Sequence, residues 1–204
     1  MIGIVNYGLG NVMAIQNLYN YLDIDNILIN NIDDFKRINK IILPGVGSFD
    51  GAMALLNESG FSNQIKIQVL NNKKPILGIC VGMQVLAKSS EEGKIPGLGL
   101  IDAKVKLIRY SSNHQKLRVP HMGWNSVKII KDNPLFDNRI NNEFYFLHSY
   151  IFVCNQKSDI ILNTEYVENF ASGINKQNIY GVQFHPEKSH SSGLELLKNF
   201  ALKS

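Results

Sequence analysis

At 204 residues, with 45% hydrophobic and 19% charged residues, the chain is sized and composed for one soluble globular domain, residues 1–204, with a sizeable core. A formal net charge of +4, spread over scattered lysines, argues against nucleic-acid binding. No apolar run approaches the roughly 20 residues that span a bilayer, and Met1-Ile2-Gly3-Ile4-Val5-Asn6 lacks the basic start and cleavage site of a signal peptide. The expectation is a cytoplasmic protein with no membrane contact. Two cysteines, Cys80 and Cys154, make neither a disulfide framework nor a zinc spacing, so no metal is expected.

Ile2–Val5 reads as a buried strand, and Tyr7-Gly8-Leu9-Gly10-Asn11 as a tight loop. Ile15, Leu18, Tyr19 and Leu22 then recur with the spacing of an amphipathic helix. A strand, a Gly-x-Gly turn and a helix suggest dinucleotide binding, but Met13 stands where the third glycine is required. The second strand, Asn26–Ile29, also runs into Asn30 and Asn31 where an acidic residue is required. A third strand over 40–43 leads into Pro44-Gly45-Val46-Gly47-Ser48-Phe49, a fixed loop whose backbone N–H groups can approach a ligand closely and whose Ser48 suits a helix N-cap. Helical patterns lie on either side of Gly60. Strands and helices alternating at this spacing indicate a parallel sheet covered on both faces.

The stretch 75–84 organises the chain. Ile76-Leu77-Gly78-Ile79 reads as a strand buried on both faces, and 81–86 as the first turns of a helix. Cys80 sits at the join, with Gly78 and Gly82 two residues to either side. That is the layout of a nucleophile elbow with cysteine in the serine position. A thiol there meets unpaired backbone N–H groups and the positive end of a helix dipole, both of which favour thiolate. Ser89-Ser90-Glu91-Glu92-Gly93 closes the segment, where Glu91 and Glu92 also fit a solvated helix end. Beyond Ala103 the pattern changes to short alternating strands, over 105–110, 126–130, 144–147, 151–154, 160–164 and 179–184, which extend the sheet in antiparallel or mixed fashion. Leu194, Leu197, Phe200 and Ala201 have helical spacing and pack back on it.

His185-Pro186-Glu187 follows the last of these strands. In extended backbone, residues i and i+2 point to one side, so His185 and Glu187 face the same way off a strand that Pro186 helps end. A base and a carboxylate that orients it are what a thiol nucleophile requires. His148 is the rival base, without a carboxylate two residues on; His114 and His190 read as surface residues.

Gly78-Ile79-Cys80-Val81-Gly82-Met83-Gln84, Pro44-Gly45-Val46-Gly47 and His185-Pro186-Glu187, in this order and across essentially the whole chain, resemble the class I glutamine amidotransferases. Only Val81, where leucine is more usual, departs from the pattern. The resemblance implies a flavodoxin-like α/β fold, with a central mostly parallel sheet flanked by helices and an antiparallel extension. It also implies a Cys80-His185-Glu187 triad that hydrolyses L-glutamine to glutamate and ammonia without a cofactor. The tetrahedral intermediates need N–H donors, the first from Val81 and the second from Val46 or Gly47. By the same resemblance Gln84, Glu92, His148, Ser149 and Tyr150 hold the amino-acid end of glutamine.

Less general residues narrow the resemblance. Asn6-Tyr7-Gly8-Leu9-Gly10-Asn11, Val119-Pro120-His121-Met122-Gly123-Trp124-Asn125 and Leu147-His148-Ser149-Tyr150 are similar to glutaminase subunits of imidazole glycerol phosphate synthases. Those act in a heterodimer with a (βα)8-barrel cyclase, HisF, which uses the ammonia to make imidazole glycerol phosphate and AICAR in histidine biosynthesis. The resemblance implies that Asn11, His121 and Trp124 lie at the partner interface or the ammonia passage, Trp124 on a glycine-flanked loop. A glutaminase feeding a cyclase homologue that amidinates a surface sugar shares the triad and is the alternative. A γ-glutamyl peptidase leaves Met122-Gly123-Trp124 unexplained, and a binding module has no use for the three triad residues together.

Overall fold

The computed structural model describes residues 1–109, 118–136 and 142–204. Its first half alternates strand and helix: β1 (Ile2–Val5), α1 (Val12–Tyr21), β2 (Asn26–Ile29), β3 (Lys40–Gly45), α2 (Phe49–Glu58), α3 (Phe61–Lys66, continued by a π-helical turn over Ile67–Asn71) and β4 (Ile76–Cys80). A single turn, α4 (Val81–Gln84), follows, then β5 (Ser89–Ser90) and β6 (Ala103–Leu107). The second half is largely strand: β7 (His121–Ser126), β8 (Lys128–Ile129), β9 (Glu143–His148), β10 (Tyr150–Cys154), β11 (Ile160–Glu165), β12 (Asn169–Lys176) and β13 (Ile179–Val182), closed by α5 (His190–Lys203).

Among the described residues the main sheet runs β2-β1-β3-β4-β13-β12-β10-β6-β5, with β11 and β8 branching from β12. β2 through β13 in that order are mutually parallel. This is the flavodoxin-like strand order, in which ligands sit beyond the carboxyl ends of the strands. β12, β10 and β6 continue antiparallel, as the expected extension. β7 and β9 form a separate antiparallel ribbon. β4 is buried along its whole length because β3 and β13 flank it and helices cover the sheet, which is why it reads as an unbroken apolar run. α1 packs with α5, and α2 with α3. Ser48 caps α2 as expected, its Oγ accepting from Gly51 N at 3.2 Å.

Several sequence expectations shift. β3 runs through Pro44 to Gly45, two residues past 40–43. Pro44 is tolerated there because pairing with β1 has already ended at Ile42. The helix expected over 81–86 is one turn, ended at Gln84 because the chain turns back into β5 to pair with β6. Glu91 and Glu92 therefore follow a strand and are not a helix end. The strand expected over 126–130 is split between β7 and β8. Trp124 lies within β7 and not on a loop. β12 was not foreseen, because Ser172, Gly173 and Asn175 break its apolar pattern although Phe170 through Ile174 are buried. In α5 the buried face is carried by Leu196, Leu197 and Phe200, while Leu194 is half-buried. Tyr110 at the end of the strand expected over 105–110, and His114, lie outside the described residues.

Candidate active site

The carboxyl ends of β3, β4 and β13 meet around a cavity of about 250 Å³. Cys80 ends β4 with φ +54° and ψ −112°, backbone that a non-glycine residue holds only when its surroundings over-determine it. Those surroundings are tight. A Cβ on Gly82 would stand 1.8 Å from the Leu43 carbonyl oxygen, and one on Gly78 would stand 2.6 Å from Gly82 O. The glycines therefore admit close packing of backbone against backbone at the elbow, the more specific reason for their presence. One turn of helix adds little macrodipole, so what α4 offers the sulfur is its local N–H groups. The Cys80 thiol points to Leu147 O at 3.8 Å and receives Gln183 Nε2–H at 3.8 Å.

His185 arrives from the end of β13. Its N–H donates to Tyr145 O at 2.9 Å and its carbonyl accepts Ser189 Oγ–H at 2.6 Å, which fixes the backbone from β9 and from the turn that follows. Its Nδ1 donates to Glu187 Oε1 at 2.9 Å, and both side chains are almost wholly buried. The pair forms as expected, but by a different local route. His185 lies past the last β13 residue and Glu187 lies in a 3-10 turn over Pro186–Lys188, so the turn and not an extended strand brings them together. Cys80 and His185 line the same cavity, so the sulfur acts on the ring electrostatically. Burial by itself lowers the pKa of His185, but hydrogen bonds and charge from Cys80 and Glu187 outweigh it and push it up to about 10. Burial acts to raise Glu187, and His185 and Asn11 together hold its carboxyl below the ordinary range.

Val46 and Gly47 from the end of β3, and Val81, line the cavity beside Cys80. So do Gln84, Glu92, His148, Ser149 and Tyr150, each expected on the substrate side. Glu92 Oε2 accepts Phe49 N–H at 2.8 Å, at the N-terminus of α2, a favourable place for a carboxylate. Glu91 points elsewhere, to Arg109. The amide nitrogen of Gln84 is committed to the protein, donating to Tyr150 O at 3.1 Å and to Gln183 Oε1 at 3.2 Å.

Tyr150 O also accepts from His148, Nδ1 to O at 2.9 Å. His148 Nε2 must then be an acceptor, and it lies 3.0 Å from His121 Nδ1; His121 Nε2 in turn takes Asn125 Nδ2–H at 3.2 Å. Only neutral rings satisfy this chain. Burial, helped for His148 by His121, pushes the two down to about 3 for His148 and about 4 for His121. His148 is thus a poor base, and the rivalry with His185 resolves on charge. His121, expected at the partner face or ammonia passage, is 2% exposed and stacked between Phe146 and Tyr166. Trp124 is 48% exposed and stacks on His190. Asn11 donates to Glu187 Oε1 at 2.8 Å, so its side chain joins the buried acid. Gln183, which the sequence analysis does not single out, touches both the sulfur and Gln84; it lies just past β13, so strand alternation gives no signal for it.

The glutamine amidotransferase class-I family matches residues 4–204, and the chain belongs to that family. Relatives include the imidazole glycerol phosphate synthase subunit HisH 2 of Methanococcus maripaludis, 48% identical with 98% of each chain covered. Subunit HisH of Leptospira interrogans is also 48% identical, over 98% of this chain and 99% of its own. A solved glutamine amidotransferase superposes with a TM-score of 0.73 at 16% identity, covering 98% of this chain and 99% of the other, which speaks for the fold.

Proposed function

We propose that this chain is the glutaminase subunit of an imidazole glycerol phosphate synthase, cytoplasmic and paired with a HisF-type barrel cyclase. Cys80 sulfur attacks the side-chain carbonyl carbon of L-glutamine. The N–H of Val81 and one from Val46 or Gly47 receive the oxyanion. His185, oriented by Glu187, gives its proton to the departing nitrogen, so that ammonia leaves and a γ-glutamyl thioester remains. Water then attacks the thioester, His185 takes its proton, and glutamate departs as the sulfur is regenerated. Glu92 suits the substrate ammonium, and the 148–150 segment its remaining polar groups. Among the described residues no second catalytic constellation would use ammonia, so the acceptor chemistry is assigned to the partner. The reading is carried by one observation, the buried His185 bonded to Glu187 and lining one cavity with Cys80 at the end of three strands.

Complementation of a histidine auxotroph, together with the purified complex, tests it. Cys80→Ala is expected to abolish glutamine-dependent synthesis while synthesis from added ammonium persists through the cyclase. Loss of both activities would make Cys80 structural, and failure to complement would favour the surface-sugar pathway. Glutamate release is expected to be slow from the subunit alone and to rise when the liganded cyclase is added; full turnover in isolation contradicts the coupling.

A further inference from the structure

Asn11 stands at the N-cap of α1, where asparagine ordinarily turns its side chain to accept from the first helical N–H groups. Its backbone carbonyl does begin the helix, accepting Ile15 N–H at 3.1 Å, but its side chain makes no capping bond. The side chain is directed away, and Nδ2 donates to Glu187 Oε1 at 2.8 Å, the oxygen that also receives His185 Nδ1–H. The other oxygen, Glu187 Oε2, is buried without a hydrogen-bond partner among the described residues. One carboxylate oxygen thus carries both side-chain bonds, and the amide of Asn11 joins His185 and the backbone of Glu187 itself in holding the carboxylate.

The loop holding Asn11 is itself clamped to the opposite wall of the site. Tyr7, buried in the same loop, donates its hydroxyl to Pro44 O at 2.9 Å. Gly10, at φ +93°, lies so close that a Cβ would stand 2.7 Å from Pro44 Cβ. Pro44 leads directly into Val46 and Gly47. The loop between β1 and α1 therefore touches the strand end that supplies the oxyanion donors and the acid that orients the base.

We propose that Asn11 is a positioning residue of the triad, holding Glu187 ionised and aimed at His185 from a loop fixed to the oxyanion strand. This rests on the triad reading above. Loss of the donor raises the pKa of Glu187, because a hydrogen bond to the charged form is removed. A carboxylate in its place raises it further by like-charge repulsion.

The test uses the isolated chain and a chloroketone analogue of glutamine, following Cys80 labelling by mass spectrometry against pH in wild type, Asn11→Ala and Asn11→Asp. The Asn11 side chain makes no capping bond, so Asn11→Ala is expected to keep the thermal midpoint nearly unchanged, which separates an effect on the triad from one on folding; like charge beside the buried Glu187 costs more in Asn11→Asp. Labelling of Asn11→Asp is expected to fall about tenfold, in line with other outer partners of reactive groups, and the acid limb of its pH profile to rise by on the order of one unit. Asn11→Ala is expected to shift the limb the same way by less. Wild-type labelling kinetics and an unmoved acid limb in both variants overturn the proposal. Absence of Cys80 labelling in wild type overturns the triad reading instead.

Discussion

A buried imidazole keeps its proton only beside negative charge, and the histidines of this site divide on that rule. His185, bonded to Glu187 and lining one cavity with Cys80, is pushed up to about 10; His121 and His148, facing each other in an aromatic cage, are pushed down to about 4 and about 3. For His185 the stabilisation is complete below its ordinary 6.5 and is lost as pH rises through about 10. For Glu187 it is complete above the ordinary 4.5 and is lost as pH falls through the depressed value. The pair thus stabilises the fold across neutrality, and Glu187→Gln is expected to bring the His185 ring titration, followed by NMR, down from about 10. An unchanged titration would mean that Glu187 does not govern the base. His148 works the other way. The unfolded chain takes up its proton below about 6.5 while the folded chain refuses it down to about 3, so stability declines on acidification. His148→Asn keeps a donor for Tyr150 O but cannot titrate. Its urea-derived stability is expected to fall less steeply than wild type between pH 6 and 4, by about 1.4 kcal/mol per pH unit. Parallel slopes would place the proton uptake elsewhere.

At the scale of elements, the elbow between β4 and α4 fixes the reactive geometry, and it does so through backbone contact. Gly82→Ala would drive a methyl into the Leu43 carbonyl oxygen, a backbone atom that cannot yield without opening β3 from β4. The expected cost is about 3 kcal/mol, read from urea unfolding; a neutral substitution would show that the two strands separate readily. This element was legible in the sequence because its demands are local: two glycines, an apolar strand and one cysteine in a fixed spacing. The pairing of His185 with Glu187 was legible for the wrong local reason, since a turn achieves what alternation in a strand was expected to achieve. β12 and the role of Asn11 were not legible. β12 is held by neighbours on both sides that tolerate Ser172 and Gly173 in its middle, and Asn11 meets Glu187 across 176 residues of chain. Composition and spacing carry no record of such contacts. The neutral histidine chain was hidden for the same reason, because His121 and His148 meet only when β7 pairs with β9.

At the scale of the molecule, the parallel half carries Cys80 and the 44–47 loop, while the antiparallel half carries the 148–150 segment and the β7–β9 ribbon. That ribbon has two unlike faces. Its inner face carries His121, Phe144 and Phe146 into the core; its outer face leaves Met122 65% exposed, Trp124 48% and Leu147 38%. Leu147 also presents its carbonyl to the Cys80 thiol, so one ribbon joins an apolar outer surface to the reactive sulfur. An apolar surface that a monomer does not cover suits the proposed cyclase, and large aromatic side chains are where binding energy concentrates. Trp124 touches His190 and Tyr145 at the surface and fills no core position, so its removal should cost the isolated subunit little stability. Trp124→Ala is therefore expected to weaken binding of the cyclase by about thirtyfold, equivalent to about 2 kcal/mol, with the thermal midpoint of the free subunit nearly unchanged. Titration calorimetry against the purified cyclase measures the first and a thermal scan the second. An undiminished affinity with an intact fold would move the docking face off the β7–β9 ribbon, and with it the link from partner to Cys80 through the Leu147 carbonyl.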